Sequence, residues 1–230
     1  MKRRVTAIVL AAGKGSRMNS SVPKQYLSLL EKPVLSYSLK AFEESNVDEI
    51  ILVTGRGEQE YCRREIVQKY QFNKVTQIIE GGAERYHSVY RGLLAAEETE
   101  YVLIHDGARP LITTQVINLL IEKVKLTRAC IAGMPVKDTI QLVTEEKEIA
   151  STPLRRLVWM AQTPQCFEYN LVKTSYQKAI ENGDKDITDD AMVVQRYGRE
   201  KIIMVEAGYE NIKVTTPEDI MIAEAFLAHR

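Results

Sequence analysis

Residues 5–18 read VTAIVLAAGKGSRM, a buried-strand pattern that runs directly into a glycine-rich turn. The first six residues are apolar or β-branched, as expected for a strand that is covered on both faces in a parallel sheet. The glycines that follow can adopt positive φ and let backbone N–H groups come close to an anion. This segment predicts an α/β protein with a ligand site just after its first strand.

The rest of the chain alternates short apolar runs with helical patterns. This order predicts a mostly parallel sheet with helices on both faces and ligands at the carboxyl ends of its strands. Further strands are predicted at 49–53, 75–79, 101–104, 129–136 and 201–205. Helices are predicted over 57–70, 84–96, 168–182 and 189–197, with others after Pro33, around 116–124 and after Pro217.

The pattern changes after residue 136. Polar and apolar residues alternate over 138–143, and a charged turn follows at 145–148. We expect an antiparallel hairpin that leaves the sheet, rather than a separate domain, because 230 residues suit one α/β core with a small excursion.

Composition excludes several classes of function. Lys and Arg together number 31, as do Asp and Glu, so the net charge is +0 and no broad basic face for nucleic acid is expected. The three cysteines, Cys62, Cys130 and Cys166, have neither metal-ligand nor redox spacing, which favours reduced thiols in a cytoplasmic protein. No apolar stretch is long enough to span a membrane, and no membrane association is expected.

Two cations flank the glycine turn. Arg17 lies at its far side, and Lys24 follows in the segment PKQY. The turn is not a dinucleotide fingerprint, because the third glycine would fall on Met18, and no G-K-[ST] ends it as in a Walker A loop. Backbone donors at Gly13 and Gly15 beside two cations predict a phosphate site. The alternatives are an ordinary strand-to-helix turn and a solvated surface lysine.

Two further segments follow predicted strands. GGAER at residues 81–85 opens a helix, and backbone donors at such an N-terminus suit a phosphate, a ribose or a base edge. HDGARP places Asp106 near Arg109, where a carboxylate and a cation can bind hydroxyls and a phosphate or meet a metal. The alternatives are a plain turn whose Glu84 complements the helix dipole and a structural Asp106–Arg109 ion pair.

Two segments nearer the C-terminus mix structural and unexplained features. TDDA at residues 188–191 is typical of a helix N-cap with acidic first-turn residues. NIKVTTPED at residues 211–219 predicts a short strand, then Thr216 as N-cap and Pro217 at the first helical position. A purely structural role does not explain Lys213, because it is a cation inside a short apolar strand.

Taken together, these segments resemble the 2-C-methyl-D-erythritol 4-phosphate cytidylyltransferases of the non-mevalonate isoprenoid pathway. The matching motifs, in the order of that family, are LAAGKGSRM, PKQY, GGAER-x-x-SV, HDGARP, RRLVWMAQTPQ, TDDA and NIKVTTPED. The resemblance implies a three-layer α/β/α nucleotidyltransferase of residues 1–230, with a mostly parallel, mixed sheet. It also implies a protruding β-hairpin arm at about residues 137–159 that clasps a homodimer. The implied reaction transfers CMP from CTP to a small sugar-alcohol phosphate and releases pyrophosphate.

The resemblance also implies roles for individual residues. Those that match the CTP site are Ala11, Ala12, Gly13, Gly15, Arg17, Lys24, Gly82 and Ser88. Those that match the methylerythritol phosphate site are Asp106, Arg109, Arg155, Thr188 and Lys213. Arg17 and Lys24 match residues that stabilise the transition state, and Arg155 matches an arm residue that reaches the substrate phosphate of the other subunit. Ala83 and His87 depart from the family pattern, so their side chains receive no role.

The implied reaction needs charge stabilisation more than proton transfer. A phosphate monoester is a dianion near neutral pH, since its second pKa is about 6, and it can attack the α-phosphorus of CTP without a general base. Two like charges at about 4 Å repel by roughly 4 kcal/mol at an effective dielectric of about 20. Mg²⁺ is the expected cofactor, and Asp106 is its candidate protein ligand. The cations expected to act with the metal are Arg17, Lys24, Arg109, Arg155 and Lys213.

Three alternative functions remain open on sequence. Ribitol-5-phosphate cytidylyltransferase shares the QTPQ and NIK segments, but we associate it with Gly in place of Ala12, a V-R-P ending at residues 108–110 and no acid at Asp190. A nicotinamide-dependent Rossmann oxidoreductase would need a third loop glycine and an acid after the second strand, where Met18 and Thr54 stand. A catalytically silent nucleotide-binding regulator would release no pyrophosphate.

Overall fold

A seven-stranded sheet forms the centre of the computed structural model, which describes residues 4–13, 18 and 22–229. The described strands are β1 (Val5–Ala11), β2 (Ser28–Leu29), β3 (Lys32–Pro33), β4 (Glu49–Thr54), β5 (Val75–Glu80), β6 (Tyr101–Asp106), β7 (Ala129–Pro135), β8 (Leu142–Val143), β9 (Ile149–Ser151), β10 (Trp159–Glu168) and β11 (Ile203–Glu206). The described helices are α1 (Val34–Glu43), α2 (Gln59–Tyr61, continued by a wider turn over Cys62–Gln68), α3 (Arg85–Ala95), α4 (Thr114–Thr127), α5 (Tyr169–Glu181), α6 (Asp190–Val193, continued over Val194–Gly198) and α7 (Pro217–Ala228).

The strand order in the sheet is β11-β7-β10-β6-β1-β4-β5. Neighbouring strands are parallel except at β10, which is antiparallel to both β6 and β7. The predicted mostly parallel, mixed sheet is confirmed. The chain moves from β1 to β4 and β5 on one side and only later to β6 on the other. The carboxyl ends of β1 and β6 therefore form the switch point at which ligands bind in sheets of this kind.

Helices cover both faces of the sheet, as a three-layer α/β/α fold requires. One core places Ala7 and Val9 of β1 with Leu39 of α1 and Ile117 of α4. The other places Ile8 with residues of α3 and α5. Every β1 residue but Leu10 is buried, because the strand is central and is covered from both sides. The predicted fold class is confirmed.

The longest strand of the sheet is absent from the sequence-based prediction, which resumes regular structure only with the helix at 168. β10 instead fills the gap between β6 and β7, with a register shift between Ala161 and Gln165. Pro164, which follows a cis peptide bond, lies within this shift. Polar Gln162 and Thr163 break the apolar pattern of this strand, although both are buried and hydrogen-bonded, Gln162 to the loop at Gly208 and Thr163 to the end of β6.

The strand predicted at 211–214 is wrong. This segment is extended but belongs to no sheet, and its Val214 N–H donates to the carbonyl of Ala108 at 2.8 Å. The side-chain amide of Asn211 donates hydrogen bonds to Gln162 and Thr163 of β10, in place of the backbone hydrogen bonds that a paired strand would make. The helix start predicted just beyond it is confirmed, because Thr216 and Asp219 form a capping box and Pro217 occupies the first turn of α7.

The predicted hairpin is present as β8 and β9, which pair only with each other. Leu142, Val143 and Ile149 are exposed on it, and it stands away from the central sheet. None of the helices within the described residues is both long enough and apolar enough to cross a bilayer.

Candidate functional site

A cleft of about 970 Å³ lies at the carboxyl ends of β1, β5 and β6. Its position agrees with the switch point of the sheet. Residues predicted from the sequence that line it are Ala11, Ala12, Gly13, Lys24, Gly82, Ser88, Asp106 and Lys213. Gly15 and Arg17, which were also predicted to bind phosphate, lie outside the described residues.

The Lys24 turn is fixed to the β1 end of the cleft by its two following residues. The Nε2 of Gln25 donates to the Ala11 carbonyl at 2.6 Å. The hydroxyl of Tyr26 donates to Oε2 of Glu58 at 2.7 Å. Lys24 itself donates from Nζ to the carbonyl of Val214 at 3.1 Å, so the turn is tied to the segment that carries Lys213.

The turn after β5 is shaped by close contacts that require glycine. A Cβ on Gly81 would lie 2.6 Å from the Cβ of Ala12 and 2.7 Å from Oγ of Ser88. The N–H of Gly82 donates to that same hydroxyl at 3.0 Å, and the hydroxyl donates to the carbonyl of Glu84 at 3.2 Å. Ser88 therefore holds the turn against the first turn of α3, and this brings β5 close to the end of β1.

Asp106, the last residue of β6, lies between two cations. Its Oδ2 is 2.7 Å from Nζ of Lys213, and its Oδ1 accepts a hydrogen bond from Nε of Arg85 at 3.2 Å. Burial alone would raise the pKa of Asp106, but these two partners outweigh it and hold the pKa below its usual range. The carboxylate is therefore ionised throughout the physiological range of pH.

The direct Asp106–Arg109 ion pair that was one sequence-based alternative is not formed. Arg109 instead donates from Nη1 to the carbonyl of Asn211 at 2.8 Å. Asn211 in turn donates from Nδ2 to Oε1 of Gln162 and to the carbonyl of Thr163, each at 3.0 Å. The segment that carries Lys213 is thus anchored on β10 and on the loop after β6.

Arg85 is the site residue that sequence reasoning missed. It lines the cleft, and its guanidinium bridges Asp106 and the buried Asp190. One signal was available, because Arg85 occupies the first turn of α3, where a cation opposes the helix dipole and needs acidic partners. The identity of those partners depends on strand order, which the sequence does not show directly.

Three predicted substrate residues are not among those that line the cleft in the described part of the chain. Arg109 lies behind it. Thr188 is exposed in the connection before α6. Arg155 is exposed on the arm, where Nη1 donates to the carbonyl of Lys137 at 3.3 Å. A single chain therefore brings together Asp106 and Lys213 but leaves Arg155 apart from them.

His105 is fully buried beside the site, and burial lowers its pKa to about 3. Its Nδ1 lies 3.1 Å from the hydroxyl of Thr163, which also accepts the N–H of Asp106 at 3.0 Å. A neutral histidine held inside the core agrees with the expectation that the implied reaction needs no general base.

The whole chain is similar to proteins of one enzyme family. The profile of the 2-C-methyl-D-erythritol 4-phosphate cytidylyltransferase (IspD) family matches residues 5–229. The chain is 54% identical to the protein of that name from Lachnospira eligens, over 96% of this chain and 98% of the relative. It is 52% identical to the one from Lachnoclostridium phytofermentans, over 97% and 96%. The crystal structure of 4-diphosphocytidyl-2C-methyl-D-erythritol synthase from Anaerococcus prevotii superposes with a TM-score of 0.86 at 32% identity, covering 98% of this chain and 96% of that one.

Proposed function

The chain belongs to the 2-C-methyl-D-erythritol 4-phosphate cytidylyltransferase family, and from this premise we propose how its cleft carries out the reaction. The enzyme transfers CMP from CTP to 2-C-methyl-D-erythritol 4-phosphate, giving 4-diphosphocytidyl-2-C-methyl-D-erythritol and pyrophosphate for isoprenoid precursor biosynthesis. The ribitol 5-phosphate alternative is not favoured, since relatives at 42% to 54% identity carry the methylerythritol name.

One observation supports the proposed arrangement of substrates more than any other. Lys24 and Lys213 come from distant parts of the sequence, yet the carbonyl of Val214 accepts from Lys24 while the adjacent Lys213 pairs with Asp106. Two cations that face one cleft suit two phosphate-bearing substrates, whose mutual repulsion is the main obstacle to reaction.

CTP, in this proposal, lies along the β1 and β5 side of the cleft. Backbone groups of residues 11–13 and the Lys24 ammonium contact its triphosphate, and Gly15 and Arg17 complete that loop. Gly82 and Ser88 face the nucleoside, because the turn that they form lines the cleft at the end of β5. Arg17 and Lys24 stabilise the charge that develops on the α-phosphate and on pyrophosphate as it leaves.

Methylerythritol phosphate lies at the β6 side, where Asp106 accepts hydrogen bonds from its hydroxyls. Lys213 meets its phosphate and brings that dianion toward the α-phosphorus of CTP. Arg109 adds positive charge from behind, and its buried Nε has no hydrogen-bond partner among the described residues. Thr188 contacts the same substrate, which requires the connection before α6 to approach the cleft.

We propose Mg²⁺ as the divalent ion of the reaction. The described residues contain no group of three or more His, Cys, Asp or Glu side chains that could hold a metal alone. Asp106 lines the cleft on its β6 side, which fits an ion held mostly by phosphate oxygens with one protein carboxylate. When bound, Mg²⁺ would neutralise part of the triphosphate charge.

A homodimer completes the site in this proposal. A partner chain would cover the exposed apolar side chains of the arm. Arg155, on the same arm, would reach the partner's substrate. The side chains concerned, with their exposed fractions, are Leu142 (54%), Val143 (54%), Ile149 (67%), Leu154 (61%) and Leu157 (65%).

We further propose that residues 1–230 act as one domain and work in the cytoplasm, where three free, buried cysteines would stay reduced.

The experiment that tests the function measures pyrophosphate release from CTP and Mg²⁺ with each candidate acceptor. We expect kcat/KM for 2-C-methyl-D-erythritol 4-phosphate to exceed that for ribitol 5-phosphate. Faster turnover of ribitol 5-phosphate would overturn the acceptor assignment, and no release with either acceptor would support a silent nucleotide-binding protein. Replacing Mg²⁺ by a chelator should stop the reaction if a divalent ion takes part.

A further inference from the structure

We propose that Arg85, held in place by Asp190, is a positioning residue for the methylerythritol phosphate site and acts on Lys213 through Asp106. The proposal rests on the assignment of Asp106 and Lys213 to that substrate. It adds a function for a buried ion pair that the reaction itself does not use.

Arg85 joins two carboxylates that come from different elements. Its Nη1 and Nη2 donate to the two carboxylate oxygens of Asp190, each at 2.8 Å. Its Nε donates to Oδ1 of Asp106 at 3.2 Å. The hydroxyl of Tyr176, on α5, donates to Oδ1 of Asp190 at 2.5 Å. The guanidinium on α3 is therefore oriented by α6 and α5 and aimed at the end of β6.

The bidentate pair gives Arg85 a defined direction. A planar guanidinium that uses two N–H groups on one carboxylate has its remaining donors in a fixed plane. The side chain of Asp190 is 0% exposed and that of Arg85 is 27% exposed. Asp190 therefore lies in the core, and the guanidinium of Arg85 extends from it to the cleft.

The consequence for Asp106 is a division of its two oxygens. Oδ1 accepts from Arg85, so Oδ2 is presented in one direction, and the ammonium of Lys213 lies there at 2.7 Å. Lys213 has a flexible four-carbon stem and belongs to a segment without regular secondary structure. Its charge needs such a contact if it is to hold a substrate phosphate in one place.

Charge balance supports the same conclusion. The two cations Arg85 and Lys213 match the two carboxylates Asp106 and Asp190. Among the described residues, Arg109, from the loop after β6, also acts on Asp106, and the adjacent His105 is neutral. Loss of Arg85 would leave the buried Asp106 with less positive charge nearby and would remove the donor to its Oδ1.

The test uses a double variant that removes the pair without leaving a buried charge. In Arg85→Gln/Asp190→Asn both partners become neutral, whereas either single change would strand the other charge. Arg128→Gln/Glu168→Gln is the matched control, because it neutralises an Arg–carboxylate pair at 2.6 Å on the exposed face. Initial rates are measured against each substrate, with circular dichroism and thermal unfolding of each protein.

We expect the double variant to lose about 10- to 100-fold in kcat/KM for methylerythritol phosphate, as for a misplaced binding group. Its KM for CTP should stay within about twofold of the parent value. The control pair should change none of these.

Arg85→Lys separates direction from charge and also serves if the double variant does not fold. It keeps a cation near Asp106 but cannot bridge two carboxylates, so kcat/KM for methylerythritol phosphate should fall while KM for CTP stays near its parental value. Parental kcat/KM in either folded variant would overturn the proposal, as would an equal loss for both substrates. Absence of methylerythritol phosphate turnover in the parent enzyme would instead contradict the proposed function.

Discussion

Lys24 shows how a single charged side chain is placed by contacts that no local pattern reveals. Its turn is held at Ala11 by Gln25 and at Glu58 by Tyr26, and its own ammonium contacts Val214. The sequence indicated Lys24 as a cation near the glycine turn, because PKQY follows that turn directly. It could not indicate Glu58, which comes from the loop after β4 and meets Tyr26 only once the sheet has formed.

We predict that Tyr26→Phe lowers both turnover and stability. The hydroxyl donates to Glu58, and burial together with Cys62 and Glu58 raises the pKa of Tyr26 above its usual range, so the donor stays protonated. Loss of this bond should cost about 1 kcal/mol in the free energy of unfolding. The loosened Lys24 turn should lower kcat. Urea denaturation and steady-state rates measure the two effects.

Tyr61→Phe is the control for this change. The ring of Tyr61 packs edge-on against Tyr26, with centroids 5.0 Å apart, so both variants alter the same cluster. Equal rates and equal stability losses in the two variants would show that the Tyr26–Glu58 bond does not position Lys24.

At the scale of elements, the parallel strands and the helices could be predicted because their apolar residues repeat with a regular period. The segments that eluded prediction were β10 and residues 211–214. Gln162 and Thr163 are polar yet buried, because the side chain of Gln162 donates to the carbonyl of Gly208 and that of Thr163 accepts the N–H of Asp106 at the end of β6. Asn211 bonds back to β10 in the same way. Such long-range polar contacts produce no periodic pattern in the sequence. The sequence therefore indicated Lys213 but not the hydrogen bonds that hold its segment.

We predict that Asn211→Ala damages the methylerythritol phosphate site through this scaffold. The substitution removes two hydrogen bonds and leaves the buried acceptors of Gln162 and Thr163 without their donor. The free energy of unfolding should fall by about 1–3 kcal/mol, and KM for methylerythritol phosphate should rise. Thermal unfolding and steady-state kinetics measure these effects.

Asn182→Ala is a matched control at an exposed position, where Asn182 donates from its side chain to the carbonyl of Lys178 at 2.8 Å. An Asn211→Ala enzyme that is destabilised but keeps its KM for methylerythritol phosphate would show that Asn211 supports the fold without placing Lys213.

At the scale of the whole molecule, the described chain presents a cleft at one end of the sheet and an exposed arm that carries Arg155. The arm could be predicted from its alternating residues and charged turn. The resemblance implied that the arm clasps a homodimer, but its contacts could not be predicted, because the surface that would cover its exposed apolar residues belongs to another chain in the proposed dimer.

We predict that Arg155 acts across that dimer. Mixtures of inactive Arg155→Ala and Lys213→Ala chains should recover part of the parental activity, because heterodimers contain one site with both residues intact. Subunit exchange is confirmed by mass spectrometry of differently tagged chains. No recovery under confirmed exchange would contradict action in trans.

Leu154→Asp, which places a charge on the arm, should shift the dimer toward monomers in sedimentation velocity.

In the proposed site, Lys213, held by Asp106, binds the phosphate of the acceptor substrate. The most direct measurement is kcat/KM for 2-C-methyl-D-erythritol 4-phosphate in Lys213→Ala, with the exposed Lys201→Ala as control. We predict a loss of at least about 100-fold in Lys213→Ala, as expected when a charge-stabilising group is removed. The fold should persist, because Arg85 still pairs with Asp106. Unchanged kcat/KM in folded Lys213→Ala would contradict the claim.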